Sequence, residues 1–443
     1  MRVPIFKYWD RVRSSFWFLP TVMAGGAVGL SFISVALDDA VTGWLSLTWG
    51  WTFTGGAQGA SSVLGAIAGS MITLAGVVFS MTLVALSLAS SQLGPRLLRN
   101  FMRDTTTQVV LGTFVSTFLY CLLVLRTIRR ADEVAFVPHM STTLGVLLAV
   151  VSVGVLIYFV HHVSISIQAN EIVARVGKEL IEGLDRQFPE HIGQGAREVP
   201  TAPPSGDLLE AFNQESLPVA SDADGYVQFI DASALMALAI QEDVIFRLER
   251  SPGHYVVADC PLVMVWPGDR AIDHLRGRVN AIFVLGNQRA AGQDFAFTIN
   301  QLVEVAVRAL SPGVNDPFTA IACVDHLGSA LCRLATRHQP SPYRHDPKGK
   351  LRVIAHIVDF PALTDAAFNQ IRQYSTSSAS VLIRLLDTIA VIAGFAHRPA
   401  DRAALVRHAD MIDRGARGGL SELEDRRTVE EHYQATLRRC RAS

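Results

Sequence analysis

From Ala40 to Pro95 the chain carries no Asp, Glu, Lys, Arg or His. A stretch of that length with no ionisable side chain belongs in a bilayer rather than in water. Read at heptad spacing, one of its faces is made almost wholly of small residues: Gly55, Gly59, Ser62, Ala66, Gly69, Thr73, Gly76, Ser80, Leu83, Ser87, Ser90 and Gly94. Inside a membrane, a small face either lets another backbone come close or leaves room for something polar to pass. Gly65-x-x-x-Gly69 fits the packing use, and the hydroxyls of Ser62, Thr73, Ser80, Ser87 and Ser90 fit the pore-lining use. As one helix the run would extend about 60 Å, twice the hydrocarbon thickness. The expected division is an outer loop or re-entrant entry from Gly55 to Ser61, a crossing from Ser62 to Ser87, and a turn at the cytoplasmic face from Ser90 to Gly94.

Apolar residues make up 50% of the chain and charged residues 18%, and the excess is concentrated near the N-terminus. Four segments, Phe16 to Leu37, Ser62 to Ser90, Thr106 to Ile128 and Ser141 to Val163, are each long enough to span a bilayer. The first follows Lys7, Arg11 and Arg13 as a signal peptide would, but its apolar run is too long for a cleaved signal and reads as an anchor. The basic residues Arg2, Lys7, Arg11 and Arg13 precede it; Asp38 and Asp39 follow it without a Lys or Arg before the second segment; Arg96, Arg99 and Arg103 follow the second. By the positive-inside rule, both termini face the cytoplasm of a bacterial inner membrane. Arg129 and Arg130 in the next outer loop oppose this assignment and are offset by Asp132 and Glu133.

The expected organisation is a four-helix transmembrane domain over 1–163, a connecting helix and linker over 164–215, a small β subdomain over 216–268 and a cytoplasmic helical domain over 269–443. The connecting helix, Ile165 to Phe188, intersperses charges among Ile172, Val176, Leu180 and Leu184, and is expected to continue the fourth span. Short β-branched and aromatic runs at Val219 to Ser221, Gly225 to Ile230, Val244 to Glu249, Tyr255 to Ala258 and Leu262 to Trp266 predict strands, with a helix at Ala232 to Gln241. Residues Ser251 to Val265 resemble half of a barrel-sandwich domain, without the lysine that a biotinyl or lipoyl carrier needs. The remainder predicts helices from Asp294, Pro317, Leu363, Ser378, Asp401 and Ser421, the last opened by a capping box of Ser421 and Glu424. The fold class is thus an α-helical membrane domain followed by an α+β region with a small barrel-like subdomain and a helical bundle.

Three motifs stand out: Arg308-Ala-Leu-Ser-Pro-Gly-Val-Asn-Asp-Pro-Phe-Thr-Ala320; Gly76-Val-Val-Phe-Ser-Met-Thr82 with Ser90-Ser-Gln-Leu-Gly-Pro-Arg96; and Ala366-Ala-Phe-Asn-Gln-Ile-Arg-Gln-Tyr374. In these the chain resembles the bacterial predicted membrane proteins grouped as domain of unknown function 2254. The resemblance spans nearly the whole chain and implies an integral membrane protein with a cytoplasmic C-terminal region, but no activity. In the first motif Arg308, Ser311, Asn315, Asp316 and Thr319 are a candidate ligand pocket at two helix ends. The plainer alternative is that Ser311-Pro312-Gly313 turns the chain, Asn315 or Asp316 caps the next helix, and Pro317 takes its first position. Arg372 with Gln370, Gln373 and Tyr374 forms a second polar cluster, and His161 and His162 stand at the inner end of the fourth span, where a pH-sensing role competes with a simple interfacial one.

No nucleotide-binding, zinc-protease or nucleophile-elbow motif is present, nor a pair of membrane-embedded carboxylates. Cys121, Cys260, Cys323, Cys332 and Cys440 lack metal-ligand spacing, so neither a metal nor a cofactor is expected. A net charge of −1 argues against nucleic acid. The expected function is a homo-oligomeric channel or channel-like transporter for a small ion. Ser62, Gly69, Thr73, Gly76, Ser80 and Ser87 would line the path or pack helices, Arg96, Arg99 and Arg103 would ring the cytoplasmic mouth, and lipid would surround the assembly. The competing classes are a membrane-anchored sensor or scaffold whose cytoplasmic domain binds a small ligand or a protein, and a membrane-bound enzyme.

Overall fold

The computed structural model describes residues 16–41, 56–93, 104–128, 136–166, 168–187, 206–268, 272–290, 292–337 and 341–442. The chain divides into two compact units, Met1–Glu171 and Ile172–Ser443.

The first unit is built of α1 (Phe18–Val41), α2 (Ala57–Leu93), α3 (Thr105–Thr127) and α4 (His139–Ser166). Among them α3 is central and packs on all three others. Phe114, Tyr120, Cys121 and Val124 of α3 are fully enclosed, meeting Met71, Ala75 and Val78 of α2 in one cluster and Leu64 and Ala68 in another. Gly112 permits the close approach of α1: a side chain there would meet Met23 and the Pro20 backbone. The expected loop at Gly55 to Ser61 and turn at Ser90 to Gly94 are corrected. From Ala57 to Leu93 the chain is a single helix, and Gly55 and Gly94 lie outside the described residues. Nothing in that sequence interrupts a helix, since the first proline after it is Pro95. Arg96, Arg99 and Arg103 also lie outside the described residues.

Among the described residues, five helices are long and apolar enough to cross a membrane: Phe18–Asp39, Ala57–Leu88, Thr105–Thr127, His139–Ile165 and Pro317–Thr336. Helix α4 ends at Ser166, and the connecting helix is α5 (Ala169–Gln187).

From Ile172 on, α5 belongs to the second unit and buries Ile172, Val173, Val176, Leu180 and Leu184. The segment read as linker contains α6 (Gly206–Glu215). Then follow β1 (Leu217–Ala220), β2 (Gly225–Ile230), α7 (Ala232–Gln241), β3 (Ile245–Leu248), β4 (Tyr255–Val256), β5 (Pro261–Trp266), α8 (Ile272–Ile282) and β6 (Phe283–Gly286). Past two helices, β7 (Tyr343–His345) and β8 (Leu351–Ile354) complete the strands. One sheet has the order β1-β5-β3-β8-β7, antiparallel but for β3 beside β8, and the other β4-β2-β6. The neighbouring halves of the 251–265 segment, β4 and β5, stand in different sheets. Val227, Phe246, Leu262, Val263 and Val265 share one core with Leu235 and Leu238 of α7 and Leu275 and Val279 of α8. Arg352 of β8 is buried and bonds Asp243 at 2.7 Å and Asp346 at 2.9 Å. Together with Lys350 it holds the Asp243 carboxyl well below the usual carboxylate range.

The helices α9 (Phe295–Ala309), α10 (Pro317–Thr336), α11 (Phe360–Tyr374), α12 (Ala379–Ala393), α13 (Pro399–Gly419) and α14 (Leu423–Arg441) pack as a bundle. Asp294, Asp316 and Asp359 each cap the helix that follows. At α14 the expected capping box shifts by one: Glu422, not Ser421, accepts from Leu423 N and Glu424 N.

Candidate functional site

Helix α2 has two faces. Ala60, Leu64, Ala68, Met71, Ala75, Val78 and Ala85 turn inward and are buried. The small residues Ser62, Gly69, Thr73, Gly76, Ser80 and Ser87 all turn outward and are exposed in the single chain. A Cβ placed on Gly65, Gly69 or Gly76 would meet nothing within 4 Å. Among the described residues the small face therefore packs no helix of its own subunit; the inward alanines, Leu64, Met71 and Val78 do that. Ser62, Ser70 and Thr73 each give their hydroxyl proton to the carbonyl four residues back, at 2.8–2.9 Å. That internal bond lets a hydroxyl sit in an apolar medium while its lone pairs still point outward.

The opposite arrangement holds inside the bundle, where the sequence placed no chemistry. Asp38, read as loop, lies in the last turn of α1 and is buried. Its carboxylate accepts from Met140 N and Ser141 N at 2.8 Å each, and from Ser141 Oγ, and so caps α4 from another helix. Tyr120 of α3 joins the same group, donating to Ser141 O at 3.0 Å and sharing a 3.0 Å bond with Ser34 Oγ. Nearer the middle of α3, Thr117 and Ser152 pair at 3.2 Å. Ser34 and Asp38 come from α1, Met140, Ser141 and Ser152 from α4, and Thr117 and Tyr120 from α3, so the buried polar atoms tie three helices together. A buried carboxylate in a span is costly, and three donors are what makes it tolerable. The sequence signal that marks it is the Asp38-Asp39 pair at the end of an apolar run, opposite the Ser141-Thr142-Thr143 start of another.

At the other end of α3, Asp104 caps the helix through Thr106 N and Thr107 N and lies 3.0 Å from His162 Nε2. Tyr158 stacks on the same imidazole. His161 stands exposed beside it without sharing that pair.

The five residues of the first motif stand at one inter-helix corner, and three of them, Ser311, Asp316 and Thr319, make their side-chain bonds within it. Ser311 Oγ donates to Arg308 O at 2.6 Å. Asp316 caps α10, accepting from Thr319 N at 3.1 Å and Thr319 Oγ1 at 2.6 Å, and Pro317 follows at the first position. Asn315 takes the left-handed conformation, φ 49°, and is exposed. Two apolar residues of the motif, Val314 and Phe318, project outward, Phe318 being 81% exposed.

The second polar cluster is more organised than the sequence suggests. On α11, Asp365, Phe368 and Arg372 follow one another at helical spacing; on α13, Arg407 and Arg414 stand two turns apart, with His408 next to Arg407. Asp365 meets both Arg407 and His408 Nε2 at 2.7 Å, and Phe368 packs edge-on against the imidazole. His408 is wholly enclosed, and burial holds its pKa below the usual imidazole value in spite of Asp365. Gln370, Gln373 and Tyr374 lie outside this face of the helix, Tyr374 exposed.

Among the described residues, no group of three or more His, Cys, Asp or Glu side chains is placed to hold a metal ion. A bundle of long apolar helices with polar groups locked inward, joined in sequence to a unit of two sheets and a helical bundle, defines a multi-span membrane protein with a substantial additional domain. The chain belongs to the family described as Predicted membrane protein (DUF2254), whose profile matches residues 13–391. Uncharacterized proteins of Mycobacterium bovis and Mycobacterium tuberculosis are each 32% identical to it over 432 residues, 95% of this chain and 80% of theirs. No solved structure matches.

Proposed function

We propose that the protein is a homo-oligomeric channel or channel-like transporter of a bacterial inner membrane. Four helices, α1 to α4, cross the bilayer, and both termini are cytoplasmic. Helix α10, though long and apolar enough, is counted with the bundle of the second unit: it packs on α9 and α12, and its Asp325 pairs with Arg384 at 2.8 Å. The observation that carries the proposal is the outward, unpartnered small face of α2, with Gly69, Thr73, Gly76 and Ser80 at its centre. Lipid tails pack poorly against a flat strip of glycine and serine, whereas a second copy of the helix, or a file of solvated ions, fits it. Four helices in one chain are too few to enclose a conduit, so the path is formed by symmetric copies with α2 nearest the axis. The two-sheet region, read as barrel-sandwich-like, and the helical bundle act as assembly platform or gate.

Ion flux from proteoliposomes tests this, comparing the native chain with Gly69→Leu, Thr73→Leu and Ser80→Leu. The expected result is flux in the native protein and its loss in the variants. An intact oligomer with no flux above empty liposomes overturns it. A second reading, a membrane-anchored scaffold, is favoured by one observation: the Val314 and Phe318 side chains displayed on the α9–α10 corner.

A further inference from the structure

Helices α11 and α13 are bolted together by two rungs of unlike charge balance. The lower rung, Asp365 with Arg407 and His408, is a closed carboxylate–guanidinium–imidazole group. One face-repeat further along each helix, the upper rung sets Arg372 against Arg414. This rung has no carboxylate, although the two helices carry four. Asp365 serves the lower rung, Asp401 pairs with Arg398 at 2.7 Å, Asp410 accepts from Tyr433 at 2.9 Å, and Asp413 pairs with Arg417 at 2.8 Å. From the neighbouring α14, Glu430 is also taken by Arg417. Of the other guanidinium groups on α13, Arg402 is spent on Ala396 O at 2.7 Å.

Arg372 and Arg414 are therefore the two guanidinium groups of this face with no acceptor among the described residues. Arg372 Nε is moreover shut away from solvent without a hydrogen-bond partner, an arrangement that burial and the facing Arg414 both make unfavourable for its charge. Two like charges placed together, one of them desolvated, lack a counter-ion. A planar guanidinium fork offers paired N–H donors in the spacing of phosphate oxygens, and a doubly charged phosphoryl group balances two of them at once.

We infer that Arg372 and Arg414 form a clamp for a phosphoryl group, supplied either by a soluble phosphoester or by a phospholipid headgroup. The tetrahedral anion bridges the Arg372 and Arg414 guanidinium groups between α11 and α13, and closes the upper rung as Asp365 closes the lower one. Its occupancy fixes the distance between the two helices. The assignment stands apart from the channel reading and does not need it.

The test uses the full-length protein in detergent, titrated calorimetrically with inorganic pyrophosphate and, separately, with dioctanoyl phosphatidate, against sodium chloride of equal ionic strength. Saturable binding of either probe is expected, weakened about tenfold or more by Arg414→Gln and by Arg372→Gln, and also weakened by Arg372→Lys, which keeps the charge but loses the fork. Arg402→Gln removes a positive charge from the same helix and should change the affinity less than about twofold, because its guanidinium is already bonded. Because Arg414 is exposed and repels Arg372, Arg414→Gln should unfold no earlier than the native chain without ligand, so a misfolded variant does not mimic the result. Binding of pyrophosphate alone assigns a soluble phosphoester, and binding of phosphatidate alone a headgroup. No binding of either probe, or equal affinity in native and Arg414→Gln protein, overturns the inference.

Discussion

Helices α2 and α3 are neighbours with much the same composition, small residues and hydroxyls on an apolar frame, yet they use their polar atoms in opposite ways. On α3 Thr113 and Thr127 bond back to their own helix, but the buried polar side chains reach other helices: Thr117 to Ser152, Tyr120 to Ser34 and Ser141. On α2 they bond back to their own backbone, as Ser62, Ser70 and Thr73 do. A hydrogen bond between helices fixes which faces meet; one within a helix makes a face cheap to expose and commits it to nothing. The glycines divide likewise. Gly112 of α3 has Met23 and Pro20 where a side chain would go, and Gly69 of α2 has open space.

The contrast is broken most severely at Asp38. Asp38→Ala strips two backbone N–H groups and the Ser141 hydroxyl of their acceptor, and should cost about 2–4 kcal/mol, read as loss of thermal stability in detergent. Asp38→Asn should recover part of it. Next in size is Gly112→Val, which forces a β-branched side chain against the Pro20 backbone at a cost of about 1–3 kcal/mol, whereas Gly69→Val should leave the thermal midpoint of the monomer nearly unchanged. Equal losses at the two glycines would erase the distinction between the faces. Thr117→Val should cost about 0.6 kcal/mol, the average worth of a hydrogen bond between spans. The smallest effect has the opposite sign: Gly76→Ala should stabilise the isolated subunit by up to about 1 kcal/mol, through helix propensity alone.

The second unit extends the comparison, because its bundle also relies on a buried polar bond between helices, His408 with Asp365. Burial keeps the native imidazole pKa below the ordinary value of 6.5, so the folded form binds its proton less readily than the unfolded one. The stability that neutral His408 contributes is thus complete above about pH 6.5 and is lost as the pH falls below it. Amide-exchange protection factors in α11 and α13 should fall between pH 7 and pH 5, and His408→Gln should flatten that response; unchanged protection in the native protein would mean that the imidazole is protonated without cost.

Much of this was legible in the sequence where the signal is local. The spans follow from apolar length, Pro317 at the first turn of α10 from proline's fixed φ and missing N–H, and the Asp316 cap from its position before that turn. The strands β2 and β5 follow from their β-branched runs. The remainder depends on partners distant in the chain. Strands β7 and β8 are short and lie beyond two helices, so no hairpin signal announces them. The small face of α2 is plain in the sequence, but the direction it points is decided by Met71, Val78 and Leu64 finding α3 and α4. Asp38 reads as a loop residue because its acceptor role is complete only when Ser141 arrives from more than a hundred positions away. In the ligand motif the sequence brought the right residues to one corner and left open whether they serve a ligand or the corner itself; the hydrogen bonds of Ser311 and Asp316 are those of the corner.

The parallel pairing of β3 with β8, Phe246 beside Val353, has a consequence for synthesis. A ribosome making this chain releases β1, β5 and β3 long before β8 exists, so the nascent sheet waits with one edge open while α9 and α10 are still being translated. Such an edge invites strands from neighbouring nascent chains. Chains cut short before Leu351 should therefore aggregate through that edge, although every apolar span would already be complete.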